Sequence, residues 1–342
     1  MNRLQSSPPF AAVPVRRLTI DVPLPAMRLL VALLLLMVAQ TAAAQIYPSR
    51  PVRLVVGFPA GGPSDVPARL IAEKIRVPLG QPVIVENKTG AAGMIAASDV
   101  LSQPADGHTL LLCSYIDPLN TLLYNKVSYR LEDLAPVSLV SKAYYAFTIS
   151  NEVPAVNLSE FVSYAKARPG TLNYGRVGAG SVTEVLAKQF EKLAGISMTG
   201  VTFKGTGPAL QEIVAGRVHF IVGPLSVTMP LYQGKKVKIL GMTSPERLTV
   251  APEVPTLAEQ GLPIVSYGWW GVCARSGMPP PVVELLNRHI VAAVASPEYR
   301  NAMEKSGVIP ASSTPAELGQ EISKTVRETS QLFRELDIGK ID

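Results

Sequence analysis

The sequence predicts an α/β protein folded into two lobes, and three observations lead to this prediction. The 342 residues are 47% hydrophobic and only 17% charged, which excludes a disordered chain and supplies a core for about two domains. Short apolar runs alternate with helical stretches over most of the chain, and two long extended runs enclose a middle segment. We therefore expect parallel sheets with helices on both faces, and a cleft between two lobes.

The alternation of strands and helices starts near residue 52. The run VRLVVGF has the continuous apolar character of a buried strand, and HTLLLC is a second run of this kind. The first part of the chain is thus predicted to hold strands at 52–58, 83–86 and 108–113, and helices at 65–75 and 92–101. The same alternation returns between residues 146 and 240, with a strand at 172–174 and a helix at 182–193.

The two extended runs predict where the chain passes between the lobes. They are 137–151 (VSLVSKAYYAFTISN) and 237–244 (VKILGMTS). A middle lobe that is entered and left by two strands makes the first lobe discontinuous, with a hinge beneath the cleft. We therefore predict that residues 45–144 and 245–342 form the first lobe and that residues 145–244 form the second.

The N-terminus has the three parts of a secretory signal. Arg16, Arg17 and Arg28 precede the apolar run 29–39, and small residues end the segment at 40–44. Eleven apolar residues are too few to span a membrane, which takes about 20. We expect cleavage after Ala44 and a mature protein in the periplasm. Two alternatives stay open: translation from Met27, and a twin-arginine signal at Arg16-Arg17, which we do not favour because the pair lies far from the apolar run.

Charge and composition exclude several classes of function. The net charge of +6 falls to 28 − 25 = +3 once a signal of residues 1–44, with four arginines and one aspartate, is removed. Such a balance predicts no nucleic-acid partner. Only three histidines are present, His108, His219 and His289, and no pair has metal-ligand spacing. Cys113 and Cys273 both lie in apolar strands of the first lobe, and the sequence leaves open whether they pair or stay as buried thiols.

Four glycine-rich loops carry the most informative chemistry. Each places small residues at a helix N-terminus, where unpaired N–H groups and the helix dipole favour an anion. The loops are 58–65 (FPAGGPSD), 89–93 (TGAAG), 178–181 (GAGS) and 204–208 (KGTGP). Two loops in each lobe would form a donor-rich site of low charge, which suits a carboxylate better than a phosphate chain. Neither the dinucleotide nor the P-loop pattern is complete, so no cofactor is predicted.

These loops also have an interpretation without a ligand, as ordinary helix starts. Ser64 has the residue type of an N-cap, and Pro208 suits the first position of a helix. Ser181 and Glu184 have the spacing of a capping box, which would explain Glu184 by itself.

Ordered motifs along the chain resemble the Bug family, the periplasmic solute-binding proteins of tripartite tricarboxylate transporters. The similarity covers nearly all of the predicted mature chain. The motifs are 47–53 (YPSRPVR), 57–62 (GFPAGG) with Ser64-Asp65 and Ala68-Arg69, 86–88 (ENK) with 90–93, 105–110 (ADGHTL), Tyr174-Gly175 with 178–181, 203–205 (FKG) with Pro208-Ala209, Thr243-Ser244 with Arg247, 252–256 leading to Glu259 and Gly261, and Trp270-Gly271 before Pro279-Pro280 and Asn287.

The resemblance implies a two-lobed type II periplasmic-binding-protein fold that closes on a small carboxylate and works with integral-membrane transporter subunits. It implies a binding protein, acting as a monomer, and not an enzyme. In such proteins, backbone N–H groups and bridging waters of the first lobe hold one carboxylate. Carried over to this chain, the first-lobe residues are Phe58, Pro59, Ala60, Gly61, Gly62, Ser64, Asp65, Gly90, Ala91, Ala92 and Gly93, with Ser114 as an addition. Those of the second lobe are Tyr174, Arg176, Gly178, Gly180, Ser181, Thr183, Lys204 and Gly205.

Four positions depart from the pattern of the family. A small polar residue is usual where Arg176 stands, a His is common at Glu184, an Asp at His219 and a Tyr at Phe203. Arg176 has two interpretations: a bidentate clamp for a distal carboxylate of the ligand, or a solvated arginine at the edge of the lobe. The departures bear on the identity of the ligand more than on the fold.

Two other functions compete with a binding protein that serves a transporter. An exported hydrolase would use Ser64 or Ser181 as nucleophile, but no histidine is placed to act as its base. A module that presents the ligand to a membrane signalling protein would use the same lobe closure, and the sequence does not separate it from transport. We interpret the chain as the transport-linked binding protein.

Overall fold

The computed structural model describes residues 47–178 and 180–341, so the predicted signal segment and its cleavage site lie outside the described residues. The strands are β1 (Val52–Val56), β2 (Val83–Asn87), β3 (Thr109–Ser114), β4 (Leu134–Ser150), β5 (Asn173–Arg176), β6 (Thr199–Thr202), β7 (Phe220–Pro224), β8 (Val237–Met242), β9 (Tyr267–Arg275) and β10 (Val308–Pro310). The helices are α1 (Asp65–Leu79), α2 (Met94–Leu101), α3 (Ile116–Leu123), α4 (Leu158–Lys166), α5 (Val182–Ala194), α6 (Thr206–Val214), α7 (Leu225–Gln233), α8 (Pro280–Ala295), α9 (Pro297–Lys305) and α10 (Pro315–Glu335). In these ranges no helix is long and apolar enough to cross a membrane.

The strands form one mixed sheet in the order β2-β1-β3-β9-β4-β7-β5-β6, and β8 and β10 also pair with β4. Strands β1, β2 and β3 run parallel, as do β5, β6 and β7. The prediction of purely parallel sheets is wrong for the rest. Strand β4 pairs antiparallel with β7, β8, β9 and β10, and β3 also pairs antiparallel with β9. The reason is that β4 leads the chain out of the first half of the sheet and β9 leads it back.

Strand β4 belongs to both halves of the sheet. Its residues Leu134 to Tyr144 pair with β9, and Tyr145 to Ile149 pair with β7. The extended run predicted at 137–151 thus lies on β4, which passes from one half of the sheet to the other. The second, predicted at 237–244, differs, because β8 pairs with β4 inside the second half. The chain re-enters the first half only with β9.

Residues 245–266 pack on the second half of the sheet. Ala251 and Val254 join the cluster of Ala146, and Leu257 and Ile264 join a larger core that contains Phe147. The predicted lobe limits stay a prediction, and this packing favours an exit from the second lobe near residue 266 rather than 244.

Helices cover both faces of each half, because the sheet residues are apolar on both sides. In the first half, Leu54 faces α1 and α8, whereas its neighbour Val55 faces α2. In the second half, the rings of Phe147 and Phe190 lie 5.2 Å apart and those of Phe161 and Phe220 lie 5.5 Å apart. Buried aromatic contacts of this kind stabilise a core beyond the area that they bury.

Cys113 and Cys273 form a disulfide, which the sequence left open. Strands β3 and β9 are antiparallel neighbours, with Leu111 opposite Cys273 and Cys113 opposite Gly271. This register brings the two Cα atoms to 5.7 Å, within the range that a disulfide needs. The two cysteines are 160 positions apart in the sequence, and only the pairing of β3 with β9 brings them together.

Candidate ligand-binding site

The loop before α1 is organised by the carboxylate of Asp65, which is 2% exposed. Asp65 Oδ2 accepts hydrogen bonds from the Gly61 N–H at 2.9 Å and from Arg69 Nε at 2.8 Å, and Oδ1 accepts one from Asn87 Nδ2 at 2.9 Å. Burial opposes ionisation of this carboxyl, but the hydrogen bonds from Arg69, Gly61 and Asn87 lower its pKa overall. Asp65 is therefore a buried anion, and its hydrogen bond from the Gly61 N–H holds the loop in place.

Asn87 joins the two glycine-rich loops of the first lobe. Its side-chain amide also donates to the Phe58 carbonyl at 2.9 Å, so it contacts the first loop from the end of the strand that leads to the second. A Cβ added at Gly57 would lie 2.8 Å from the Gly93 Cα atom, so the backbones of the two loops touch.

The second loop has an unusual backbone. Gly90, Ala91, Ala92 and Gly93 have φ values of 131°, 45°, 51° and 89°. The left-handed region costs an alanine on the order of 1 kcal/mol, and such strain is concentrated at functional sites. Within the described residues, the N–H groups of Ala91 and Ala92 donate no hydrogen bond. A short 3₁₀ turn, Ala91–Gly93, thus precedes α2, which begins two residues later than the sequence predicts.

Ser64 does not cap α1 with its side chain, contrary to the prediction. Its Oγ instead accepts a hydrogen bond from Trp270 Nε1 at 2.9 Å. The ring of Trp270 also meets that of Tyr115 edge to face, with centroids 6.4 Å apart. A residue of β9 therefore holds the last turn of the first loop, a role that the sequence did not assign to Trp270.

Helix α3 reaches the loops of both lobes. Asn120 Nδ2 donates to the Ala92 carbonyl at 3.0 Å, and Leu123 packs on Gly180, where an added Cβ would lie 2.2 Å from Cδ1. Gly180 has a φ of 69°, so conformation and space both require glycine. Ser114 begins this connection, since its N–H donates to the carboxylate of Asp117 at 2.6 Å. The 89–93 and 178–181 loops therefore meet at one helix.

In the loop before α5, a carboxylate again binds the amide four residues upstream. Glu184 Oε2 accepts the Gly180 N–H at 2.6 Å, and Oε1 is ion-paired with Arg176. The capping box forms by half, because Ser181 Oγ accepts the Glu184 N–H but the Glu184 side chain turns to Gly180 and Arg176. Arg176 Nε also donates to Thr202 Oγ1 at 3.0 Å. The Arg176 side chain is 28% exposed and is paired within the lobe.

The other second-lobe residues that the sequence predicted lie at different depths. Tyr174 is buried in the lobe core, and burial raises its pKa to about 12. Ser181 Oγ donates to the Gly178 carbonyl at 2.7 Å, and Thr183 Oγ1 accepts the Val177 N–H. Lys204 is exposed and Gly205 precedes α6, where Pro208 is the third residue rather than the first. Proline is tolerated at the first and at the third position of a helix, because the N–H groups of the first turn have no partner within the helix.

No histidine of the described chain contacts Ser64 or Ser181. His219 directly precedes β7 and accepts the Asn173 N–H through Nδ1 at 2.9 Å, and His108 Nε2 accepts the Ser49 N–H. Among the described residues, no group of three or more His, Cys, Asp or Glu side chains is arranged to hold a metal ion. Sequence reasoning missed Asn87, Asn120 and Trp270 as parts of the site. Asn87 and Trp270 did stand in the quoted motifs, which was the available signal.

These elements define a class of protein: a two-lobed binding protein of the periplasmic type. The profile described as "Tripartite tricarboxylate transporter family receptor" matches residues 67–338. Protein BugT of Bordetella pertussis is 33% identical over 302 residues, which are 87% of this chain and 93% of BugT. The chain belongs to this receptor family, the Bug family, and is a periplasmic solute-binding protein rather than an enzyme.

Solved structures of similar proteins agree with this assignment. The periplasmic binding protein BugD has a TM-score of 0.78 at 29% identity, covering 86% of this chain and all of that one. The protein Rpa4515 of R. palustris, solved with adipate, has a TM-score of 0.80 at 29% identity, again with 86% and 100% coverage. MatC from Rhodopseudomonas palustris, with bound malate, has a TM-score of 0.74 at 33% identity, with 84% and 99% coverage.

Proposed function

We propose that this protein captures a small carboxylate by closing its two lobes and delivers it to an integral-membrane transporter of the tripartite tricarboxylate type. The observation that carries the proposal is the left-handed turn at Ala91 and Ala92. It presents two backbone N–H groups without a partner among the described residues, beside the amide-rich loop that Asp65 organises. Adipate and malate in two similar proteins support a carboxylate as the ligand class.

In the proposed complex the first lobe holds the carboxylate by main-chain donors. Residues 58–62, 64 and 65 supply one loop and residues 90–93 the other, and a backbone site of this kind needs no arginine to bind a single negative charge. Helix α3 joins this site to the second lobe through Leu123 and Gly180. Ser181, Thr183, Lys204 and Gly205 are proposed to complete the site when the lobes close.

Closure is proposed to act as a population shift, since tighter binding to the closed form draws the protein into it. The protein is proposed to be exported with cleavage after Ala44 and to act as a monomer. The closed form, which presents both lobes in one arrangement, is proposed to be what the membrane subunits recognise.

A thermal-shift screen tests the proposal. The mature protein is unfolded and refolded to remove resident solute, then melted with mono-, di- and tricarboxylates and with their amides. A ligand at 100 times its Kd adds about 2.7 kcal/mol to the unfolding free energy, enough for a shift of several degrees. We expect selective shifts with carboxylates that their amides do not reproduce. Shifts with sugars or cations and none with any carboxylate would overturn the proposal.

A further inference from the structure

The second lobe carries its own buried carboxylate, Glu184, beside the loop that holds Gly180. Glu184 is 3% exposed, and its two oxygens are held by the Gly180 N–H and by Arg176. These two donors, a loop amide at a helix start and a guanidinium, are the groups with which this loop would bind a carboxylate of the ligand. Lys188 is a second cation, with its Nζ 4.0 Å from Glu184 Oε1, but its side chain is 40% exposed, so solvent screens its charge.

Three further polar groups beside this carboxylate are also used within the lobe. Arg176 Nε is bound to Thr202 Oγ1, Ser181 Oγ to the Gly178 carbonyl, and the Val177 N–H to Thr183 Oγ1. The Arg176–Glu184 pair has no net charge. Another carboxylate placed here would have to displace a buried anion or lie beside it, and both arrangements are unfavourable when water is excluded.

The pair lies at the contact between the lobes. Gly180, whose N–H binds Glu184, is the residue on which Leu123 of α3 packs, and Asn120 of the same helix binds the Ala92 carbonyl. Arg176 and Glu184 are thus connected through one glycine and one helix to the turn proposed to hold the carboxylate. In the proposed complex, the pair would therefore face the distal end of a solute whose carboxylate is held by that turn.

We propose that Glu184 is a specificity-determining residue that makes this protein select solutes with a single carboxylate and an uncharged distal end, and reject the matching dicarboxylates. The inference rests on the proposed function, namely that the cleft binds a carboxylate. Arg176 is a positioning residue in this arrangement: it neutralises Glu184 and is not a clamp for the solute. Removal of the Glu184 charge is what would turn Arg176 into such a clamp.

The first experiment uses the wild-type chain and matched solutes. Straight-chain dicarboxylates from succinate to suberate are compared with their monoamides, which have the same length and shape but a single charge, by calorimetry on refolded protein. We expect the best monoamide to bind at least about tenfold more tightly than its dicarboxylate, or about 1.4 kcal/mol. Equal or tighter binding of the dicarboxylates would overturn the inference and leave the proposed function intact. No binding of any member by the wild type would overturn the inference, and the broader carboxylate screen described above would then decide the proposed function separately.

Variants then separate Glu184 from general effects. Glu184→Gln keeps the shape and an acceptor for Gly180 but releases Arg176, so the preference is expected to invert toward dicarboxylates by about tenfold or more. The double variant Arg176→Gln with Glu184→Gln is expected to lose that gain, since the freed guanidinium is its source. Glu212→Gln is the matched control, because Glu212 also pairs with an arginine of the second lobe, Arg217, but on the exposed end of α6.

The two single variants test whether Glu184 determines specificity. If Glu184→Gln folds, by its melting curve, and keeps the wild-type preference, Glu184 does not determine specificity. If it does not fold, Arg176→Gln serves instead: monoamide affinity within about twofold of wild type supports the positioning role, and a loss of tenfold or more means that Arg176 contacts the solute, which contradicts the inference.

Discussion

Trp270 donates its indole N–H to the hydroxyl of Ser64 across 2.9 Å, although 206 positions separate the two residues in the sequence. Trp270 lies on β9, the strand that returns the chain to the first half of the sheet, and Ser64 ends the first glycine-rich loop. Both residues are buried, so the bond forms away from solvent. The returning strand therefore holds a loop of the proposed binding site in place.

Replacement of Trp270 by Phe is expected to weaken solute binding several-fold and to lower the unfolding free energy by about 1 kcal/mol, the net value of a buried hydrogen bond. Calorimetry and urea unfolding measure the two effects. Trp269→Phe is a matched control, since Trp269 Nε1 donates to Thr325 Oγ1 at 2.9 Å on α10, outside the loops. It should lose similar stability at unchanged affinity. Equal affinity losses in both variants would contradict a specific role for Trp270.

Asp65→Asn is expected to reduce the loss of stability in acid. The folded-state pKa of Asp65 lies below its unfolded value of about 3.9, so the charged form stabilises the fold above that pH. This contribution disappears as the pH falls through the folded pKa. Urea unfolding between pH 7 and 3 should therefore show a shallower decline for the variant, from a lower plateau at pH 7.

Glu73→Gln on the same helix serves as the control for Asp65, because the Glu73–Arg76 pair is exposed. Its unfolding free energy should follow the pH dependence of the wild type, because an exposed ion pair contributes little to stability. A parallel decline of the Asp65→Asn and wild-type curves would show that Asp65 is not held as a buried anion.

Asp117 is expected to change the pH dependence of stability in the direction opposite to Asp65. Burial raises the pKa of this carboxyl to about 7, although hydrogen bonds such as that from the Ser114 N–H favour the anion. The folded protein then binds more protons than the unfolded chain between about pH 4 and pH 7, so stability falls as the pH rises through this window. Asp117→Asn should remove the fall, as measured by unfolding at pH 5 and pH 8. A variant with the wild-type slope would mean that Asp117 is ionised throughout.

Loss of the Cys113–Cys273 disulfide is expected to lower the unfolding free energy by about 3 kcal/mol. The bond closes a long loop, at a sequence separation of 160, and lies in the buried core of the first half. Denaturant titration of the Cys113→Ala, Cys273→Ala double variant measures the loss. The wild type unfolded with a reductant should approach the variant curve, whereas a wild type insensitive to reductant would show that the bond is absent.

The sequence predicted the class of fold and most of the first-lobe loops, because these depend on local patterns. Continuous apolar runs marked β1 and β3 as buried strands, and glycine at helix starts marked the loops around Gly61 and Gly93. The order of motifs was enough to indicate the family, which the comparison with known proteins confirmed.

Local pattern failed where a side chain has several partners within reach. Ser64 had the type of an N-cap, yet Trp270 of a distant strand binds its hydroxyl. Arg176 and Glu184 were noted as two separate departures, and nothing in their spacing showed that they neutralise each other. A hydrogen-bond acceptor pairs with whichever donor the fold brings close to it, and local sequence patterns do not identify that donor.

What the sequence determines and what only the tertiary structure determines differ in the distance along the chain over which residues interact. Secondary structure and family membership arise from periodicity, hydropathy and short motifs, all of which act over a few residues. The disulfide, the mixed sheet, the link from Asn120 and Leu123 to both loops, and the neutral pair in the second lobe depend on contacts between distant segments. Those contacts form when strands pair and helices pack, so they are properties of the folded chain.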